Sequence, residues 1–180
     1  MCSSDLGSIG TIIVECCFVD DLGLAFPGAI GIDNDEKIAG LAKIAEAIKS
    51  KGSKALLQIY HGGRMVDPKL IGGRTPVGPS AVAAPRDGAA TPVALTAEEV
   101  EGMIGKFGEA VRRAIQAGFD GVEIHGANTY LIQQFYSPNS NQRDDEWGGS
   151  RDNRAKFPLA VLDITHKMVR QYADDAFIIG

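Results

Sequence analysis

The chain has 180 residues, of which 44% are hydrophobic, and a formal net charge of −5 at pH 7. This length and composition predict one domain with a hydrophobic core. The negative charge and the lack of a basic cluster argue against nucleic acid and anionic membrane surfaces as partners, and no apolar run approaches the roughly 18 residues of a membrane span.

The N-terminus differs from the rest of the chain. Met1–Gly7, reading MCSSDLG, has no periodicity and no helix-capping pattern, so we expect residues 1–9 to be a non-native leader and residues 10–180 to form the domain. The leader also lacks the basic and apolar regions of a secretion signal. The three cysteines form no CxxC motif, and a reduced cytoplasmic location is the simplest prediction.

The first half of the chain alternates strand and helix patterns. Thr11–Val14 is rich in β-branched residues and predicts a buried strand that ends at Glu15–Cys17. Apolar residues recur at helical spacing through Asp35–Lys51, and Gly52 ends that stripe. Ala55–Tyr60 is the next apolar run, and we expect it to form a second strand.

The second half continues the alternation. Gly62–Pro92 is a Gly- and Pro-rich loop, and loops of this length in compact domains are usually functional. A helix begins after Thr96, which forms a capping box with Glu99, and continues to about Ala117. The remaining predicted elements are a third strand at Asp120–Ile124, a third long helix at Arg154–Tyr172 and the start of a fourth strand at Ala176–Ile179.

This order of elements predicts the fold class. Alternating strands and helices imply parallel strands joined by right-handed crossovers. A complete (β/α)8 TIM barrel takes about 250 residues, whereas this chain supplies about four parallel strands and three long helices. We therefore expect an α/β fold that is a partial TIM barrel.

Three hydrogen-bonding side chains follow the third predicted strand. His125, Asn128 and Tyr130 lie within six positions of one another, at the strand end that faces the active site in parallel barrels. If the turn there is helical, the three-residue spacing brings His125 and Asn128 to one side. Their N–H groups suit one carbonyl or nitro oxygen, and the Tyr130 phenol can supply a proton. Each residue alone is more simply explained as a turn cap or a packing residue, but the cluster of three favours a functional site.

Two long motifs carry a resemblance to a known family. The segment Gly118–Leu159, which begins GFDGVEIHGANTYLIQQF, resembles the longest signature of the Old Yellow Enzyme family of FMN-dependent ene-reductases, also called NADH:flavin oxidoreductases. The segment Leu56–Arg64, LLQIYHGGR, resembles a second signature of that family. The likeness extends over residues 10–180.

The resemblance implies FMN as cofactor, NADH or NADPH as reductant, and ping-pong hydride transfer to the C=C bond of a small activated alkene. The resemblance further implies that His125 and Asn128 bind the activating oxygen of the alkene and that Tyr130 protonates the α-carbon. Gln58 and the main chain of Cys16 contact FMN. The resemblance also implies that the last strands of the barrel, whose loops bind phosphate, fall outside these residues, so we expect the 180-residue chain alone to bind FMN poorly.

The sequence leaves alternative functions open and predicts roles for several further residues. An aldolase or isomerase barrel with a Lys or Glu base stays open, although no Lys ends a predicted strand, as does an inactive fragment of an ene-reductase. A homo-oligomer of the full-length protein also stays open. We expect Arg64 and the polar residues of 141–154 to be mainly structural, His61 not to be catalytic, and His166 to lie on the surface.

Overall fold

The computed structural model describes residues 9–180, so Cys2 and residues 1–8 of the predicted leader lie outside the described residues. The elements in chain order are β1 (Thr11–Phe18), α1 (Ile38–Lys49), β2 (Lys54–Tyr60), β3 (Val77–Gly78), β4 (Val93–Ala94), α2 (Ala97–Gln116), β5 (Gly121–Ile124), α3 (Leu131–Tyr136), α4 (Arg151–Tyr172) and β6 (Ile178–Ile179).

Four of the strands form one parallel sheet in the order β1-β2-β5-β6. Helices α1, α2 and α4 each connect two neighbouring strands of this sheet. The predicted alternation and parallel pairing are confirmed, and the arrangement is that of a partial (β/α)8 barrel. Because successive strands are parallel, the C-terminal ends of β1, β2 and β5 lie along one rim.

The core lies between the sheet and the helices. Alternate residues of β2, among them Leu57 and Ile59, are fully buried in the hydrophobic cluster that includes residues of α1 and α2. Helix α2 packs closely on α4 at Gly108, where a Cβ atom would lie 2.6 Å from Ile164 Cγ1. The pleat of β2 sends the intervening residues, including Gln58, to the opposite face, which is the inside of the barrel.

The two outer strands of the sheet expose apolar side chains. Among the strands of residues 9–180, β1 pairs with β2 alone and β6 with β5 alone, although Phe18 at the end of β1 also bridges to Gly31. Ile13 on β1 is 44% exposed and Ile178 on β6 is 39% exposed. Unpaired apolar strand edges favour association with other chains.

Two of the differences between the element boundaries and the sequence prediction have a clear physical reason. Helix α4 begins at Arg151, three residues before the predicted start, because the Ser150 side chain accepts a hydrogen bond from Asn153 N–H and caps it there. The predicted loop Gly62–Pro92 contains β3, which pairs with β4 just beyond it. Two-residue strands carry too short a pattern to be recognised from sequence. Among the helices of residues 9–180, none combines the length and apolarity needed to cross a bilayer.

Candidate active site

His125 directly follows β5, and the backbone fixes its tautomer. Its main-chain N–H donates to Ile59 O at 3.0 Å, which continues the sheet pairing, and its Nδ1 accepts from Ala127 N–H at 3.2 Å. Burial lowers the pKa of His125, so the imidazole is neutral at pH 7. A neutral imidazole that accepts at Nδ1 carries its proton on Nε2. His125 therefore presents an Nε2–H donor at the rim.

The turn after His125 brings Asn128 to that donor. The side-chain amide nitrogen of Asn128 lies 3.3 Å from His125 Nε2. Asn128 and Thr129 have φ angles of 53° and 59°, in the left-handed region, so the turn is not the helical one considered from the sequence spacing. Side-chain oxygens and amides hold this strained turn: Gln133 Oε1 accepts from Thr129 N–H, and Gln134 Nε2 donates to Thr129 O at 2.6 Å. The two predicted donors thus meet, by a different backbone geometry.

Tyr130 stands against His125 on a buried aromatic residue, Tyr60. The Tyr130 ring centroid lies 4.9 Å from that of His125 and 5.0 Å from that of Tyr60. Burial raises the pKa of Tyr130, so its phenol keeps its proton at neutral pH. Tyr60 is fully buried, and its hydroxyl accepts from Ala25 N–H at 3.1 Å. Tyr60 was not predicted from sequence as part of the site, although it lies two residues after Gln58 on the same face of β2.

A bulge in β1 directs a backbone donor into the barrel. Val14 pairs with Leu57 and Cys17 with Ile59, so two residues of β1 face the single residue Gln58. Cys16, at this bulge, has a φ of 34°. Its N–H donates to Gln58 Oε1 at 3.2 Å rather than to a strand carbonyl. A non-glycine residue held in this region often marks a functional site.

The other end of the Gln58 amide is also engaged. Gln58 Nε2 donates to Glu123 Oε1 at 2.5 Å, and the Cys16 thiol lies 2.9 Å from Gln58 Oε1. Burial, assisted by the charges of Glu15 and Glu123, raises the pKa of the Cys16 thiol, which therefore stays protonated at neutral pH. Cys16, Gln58 and Glu123 form a polar floor across β1, β2 and β5, and Glu123 is a member that the sequence analysis missed.

The polar floor fits the pyrimidine ring of a flavin, whose edge offers two carbonyl acceptors and one N–H donor. The bulge supplies a backbone N–H that the sheet does not use, and Gln58 supplies both a donor and an acceptor. These groups now bond mainly to one another, so a ligand can replace one partner without breaking the sheet. Within residues 9–180, no group of three or more His, Cys, Asp or Glu side chains is placed to hold a metal ion.

Comparison with known proteins decides the family. Residues 5–178 match the model of the NADH:flavin oxidoreductase / NADH oxidase family. The chain belongs to this family. It is 88% identical over 174 residues to an NADH:fumarate oxidoreductase of Klebsiella pneumoniae, with 97% of this chain and 19% of that protein covered. It is 62% identical over 174 residues to an NADH:acrylate oxidoreductase of Vibrio harveyi, with 97% and 17% covered.

A solved structure supports the same assignment. An Old Yellow Enzyme homologue from Zymomonas mobilis superposes with a TM-score of 0.82 at 34% identity, over 88% of this chain and 47% of that one. The predicted resemblance to the Old Yellow Enzyme family, the partial TIM barrel, and FMN with NAD(P)H as cofactors are thereby confirmed at the level of the family. This NADH:flavin oxidoreductase segment spans about half of that structure and less than a fifth of the two relatives.

The second histidine of this family segment, His61, is used by the fold. It is fully buried after β2, with Nδ1 accepting from Gly63 N–H at 3.0 Å. Its Nε2 lies 3.7 Å from Asp20 Oδ1, too far for a normal hydrogen bond, and Lys106 makes the closer contact with Asp20. Burial alone would raise the pKa of the Asp20 carboxyl, but attraction from His61 and Lys106 outweighs it and holds that pKa well below its usual range.

The remaining polar residues of the two signatures support loops. Arg64 donates to Val82 O and Ala83 O at 3.3 and 3.1 Å, which ties the start of the long loop to its middle. Asn141 Nδ2 donates to Phe135 O and Trp147 O at 2.7 and 2.8 Å. These contacts support the structural interpretation of Arg64 and of the segment 141–154. His166 is exposed on α4, as predicted.

Proposed function

We propose that this rim is the active site of an NAD(P)H-driven flavin oxidoreductase that reduces activated C=C bonds. The observation that carries the proposal is the neutral His125, whose Nε2–H lies beside the Asn128 amide and whose ring packs edge-on against the Tyr130 ring. Gln58 and Cys16 N–H would hold FMN, which when bound accepts hydride from NAD(P)H and donates it to the alkene.

The residues of this chain would bind and polarise the alkene. His125 and Asn128 donate to its carbonyl, carboxylate or nitro oxygen and stabilise the negative charge that develops there. Tyr130, protonated at neutral pH, supplies a proton to the α-carbon. The ring of Tyr130 packs against the ring of Tyr60. Fumarate and acrylate, named in the two relatives, are alkenes of this activated class.

A second candidate is that this barrel takes hydride from NADH but does not bind the alkene. The chain covers only 19% and 17% of the NADH:fumarate and NADH:acrylate oxidoreductases, so most of each relative lies outside it. In that case the acceptor is reduced by another part of the longer protein, and the carbonyl bound by His125 and Asn128 is the carboxamide of nicotinamide.

Anaerobic stopped-flow kinetics on the full-length protein separate the two candidates. In the double variant His125→Ala/Asn128→Ala, the first candidate predicts that flavin reoxidation by an enone slows by at least about 10²-fold, the loss typical of one such donor. Flavin reduction by NADH slows less. The second candidate predicts that NADH-driven reduction is the slowed step and that acceptor reduction keeps its wild-type rate. Wild-type rates in both half-reactions would exclude both candidates.

A further inference from the structure

Glu123 is placed to control the amide of Gln58. The two residues are register partners on the parallel strands β2 and β5, and both side chains point into the barrel. Glu123 is half-buried, and its carboxylate accepts from Gln58 Nε2 at 2.5 Å. Hydrogen bonds to an ionised group are stronger than those between neutral groups.

This contact allows only one orientation of the amide. An ionised carboxylate has no proton to donate, so the NH2 end of Gln58 must face Glu123 on β5. The carbonyl end then faces β1, where it accepts from Cys16 N–H at 3.2 Å. If a ligand takes the Cys16 N–H, the weak thiol donor of Cys16 remains on the β1 side, and the carboxylate of Glu123 becomes the main anchor of the amide.

We propose that Glu123 is the positioning residue that orients Gln58 for flavin binding. This inference depends on the proposed function, in which Gln58 and Cys16 N–H hold FMN. The pyrimidine edge of a flavin alternates acceptor, donor and acceptor groups. A Gln58 amide held with its oxygen toward β1 offers one fixed order of donor and acceptor to that edge, whereas a reversed amide sets donor against donor.

The test is a double-mutant cycle on FMN affinity in the full-length protein. FMN is removed, and its dissociation constant is measured from the quenching of FMN fluorescence on rebinding. We expect Glu123→Ala to weaken binding about three- to tenfold, the range for losing the order of one side chain. In a Gln58→Ala background the same change should alter the constant less than about twofold, because Glu123 acts through Gln58.

Two further variants serve as controls. Glu15→Ala removes the exposed carboxylate of the β1 bulge, which also acts on the Cys16 thiol but makes no hydrogen bond to Gln58. It should change FMN affinity less than about twofold. Glu123→Gln keeps the size of the side chain but satisfies both orientations of the Gln58 amide. Halving the competent population predicts about twofold weaker binding.

The possible outcomes separate this inference from the proposed function. If the wild-type protein does not bind FMN, or if Gln58→Ala binds it as well as wild type, the flavin site itself is wrong. If Gln58→Ala weakens binding but Glu123→Ala does not, the inference alone is wrong. The same holds if Glu123→Ala weakens binding equally in both backgrounds, which is the result expected of a general loss of structure. Strong coupling between Glu123 and Gln58 supports it.

Discussion

Two histidines follow neighbouring strands, His61 after β2 and His125 after β5. They make the same backbone contact through Nδ1 but face different groups through Nε2. Each accepts at Nδ1 from the backbone N–H two residues later, at 3.0 and 3.2 Å, so each carries its proton on Nε2. His61 is 1% exposed and points Nε2 toward the buried carboxylate of Asp20. His125 is 8% exposed and points Nε2 toward Asn128.

The two histidines show that the backbone determines the tautomer, whereas the surrounding side chains determine the role of the free donor. The turn after each strand fixes the tautomer and leaves one donor. The group opposite that donor decides its use. His61 Nε2 is buried facing the Asp20 carboxylate at 3.7 Å, where no ligand reaches it, whereas His125 Nε2 faces a neutral amide that can turn to share a ligand. A strand-end histidine is therefore evidence of a site only when its second nitrogen faces exchangeable groups.

The largest effect is expected from Tyr130→Phe, which removes the proton donor that we propose for the α-carbon of the alkene. Transfer from a positioned acid contributes about 10²–10⁴-fold, so reoxidation of the reduced flavin by an enone should slow by that factor. FMN affinity should change little, because no hydrogen bond joins the Tyr130 side chain to Cys16, Gln58 or Glu123 in residues 9–180. Stopped-flow absorbance with an enone measures the step. An unchanged trace would remove Tyr130 from the chemistry.

His125→Ala should slow the same step by about 10²–10³-fold, since one preorganised donor is lost. The free energy of unfolding should change little, because the Nε2–H of His125 is not bonded to a buried charge. Enone reduction and urea unfolding of the same preparation give both quantities. A large loss of stability with unchanged kinetics would give His125 the role that we assign to His61.

His61→Ala should have the opposite effect. It removes a fully buried ring and leaves the buried Gly63 N–H without its acceptor, and an unsatisfied buried group costs about 2 kcal/mol. Urea unfolding should detect that loss, while enone reduction by the folded fraction stays near wild type. The matched control is His166→Ala on the exposed face of α4, for which a change within about 0.5 kcal/mol is expected.

The smallest effect concerns pH. The folded-state pKa of Asp20 lies below its unfolded value of about 3.9, so the stabilisation is fully present above that value and is lost as the pH falls toward the folded pKa. Below about pH 4 the difference in unfolding free energy between wild type and Asp20→Asn should shrink by about 1 kcal/mol per pH unit. A difference that stays constant from pH 7 to pH 3 would contradict the shifted carboxyl.

Much of this fold was predictable because its periodic patterns are long. The capping box of Thr96 and Glu99, the helical stripe of α1 and the strand of Gln58 were all recognised from sequence. The bulge at Cys16 was not, because its φ of 34° arises from register with β2 and leaves no local signal.

The site was predicted in its main side chains but not in its contacts. Local spacing suggested that His125 and Asn128 meet, although a left-handed turn rather than a helix brings them together. Glu123 and Tyr60 were missed because their roles come from neighbouring strands: Glu123 faces Gln58 across β2 and β5, and Tyr60 underlies Tyr130. Such pairings appear only once the strand register is known.

Binding of a phenolic ligand to the FMN-loaded full-length protein tests the central claim most directly. Visible difference spectra give the dissociation constant for wild type, His125→Ala and His61→Ala at pH 7. We predict that His125→Ala weakens binding at least about tenfold, the loss of one good hydrogen bond, and that folded His61→Ala binds within about twofold of wild type. Equal weakening in both variants, or weakening only in His61→Ala, would contradict the assignment of one histidine to the site and the other to the fold.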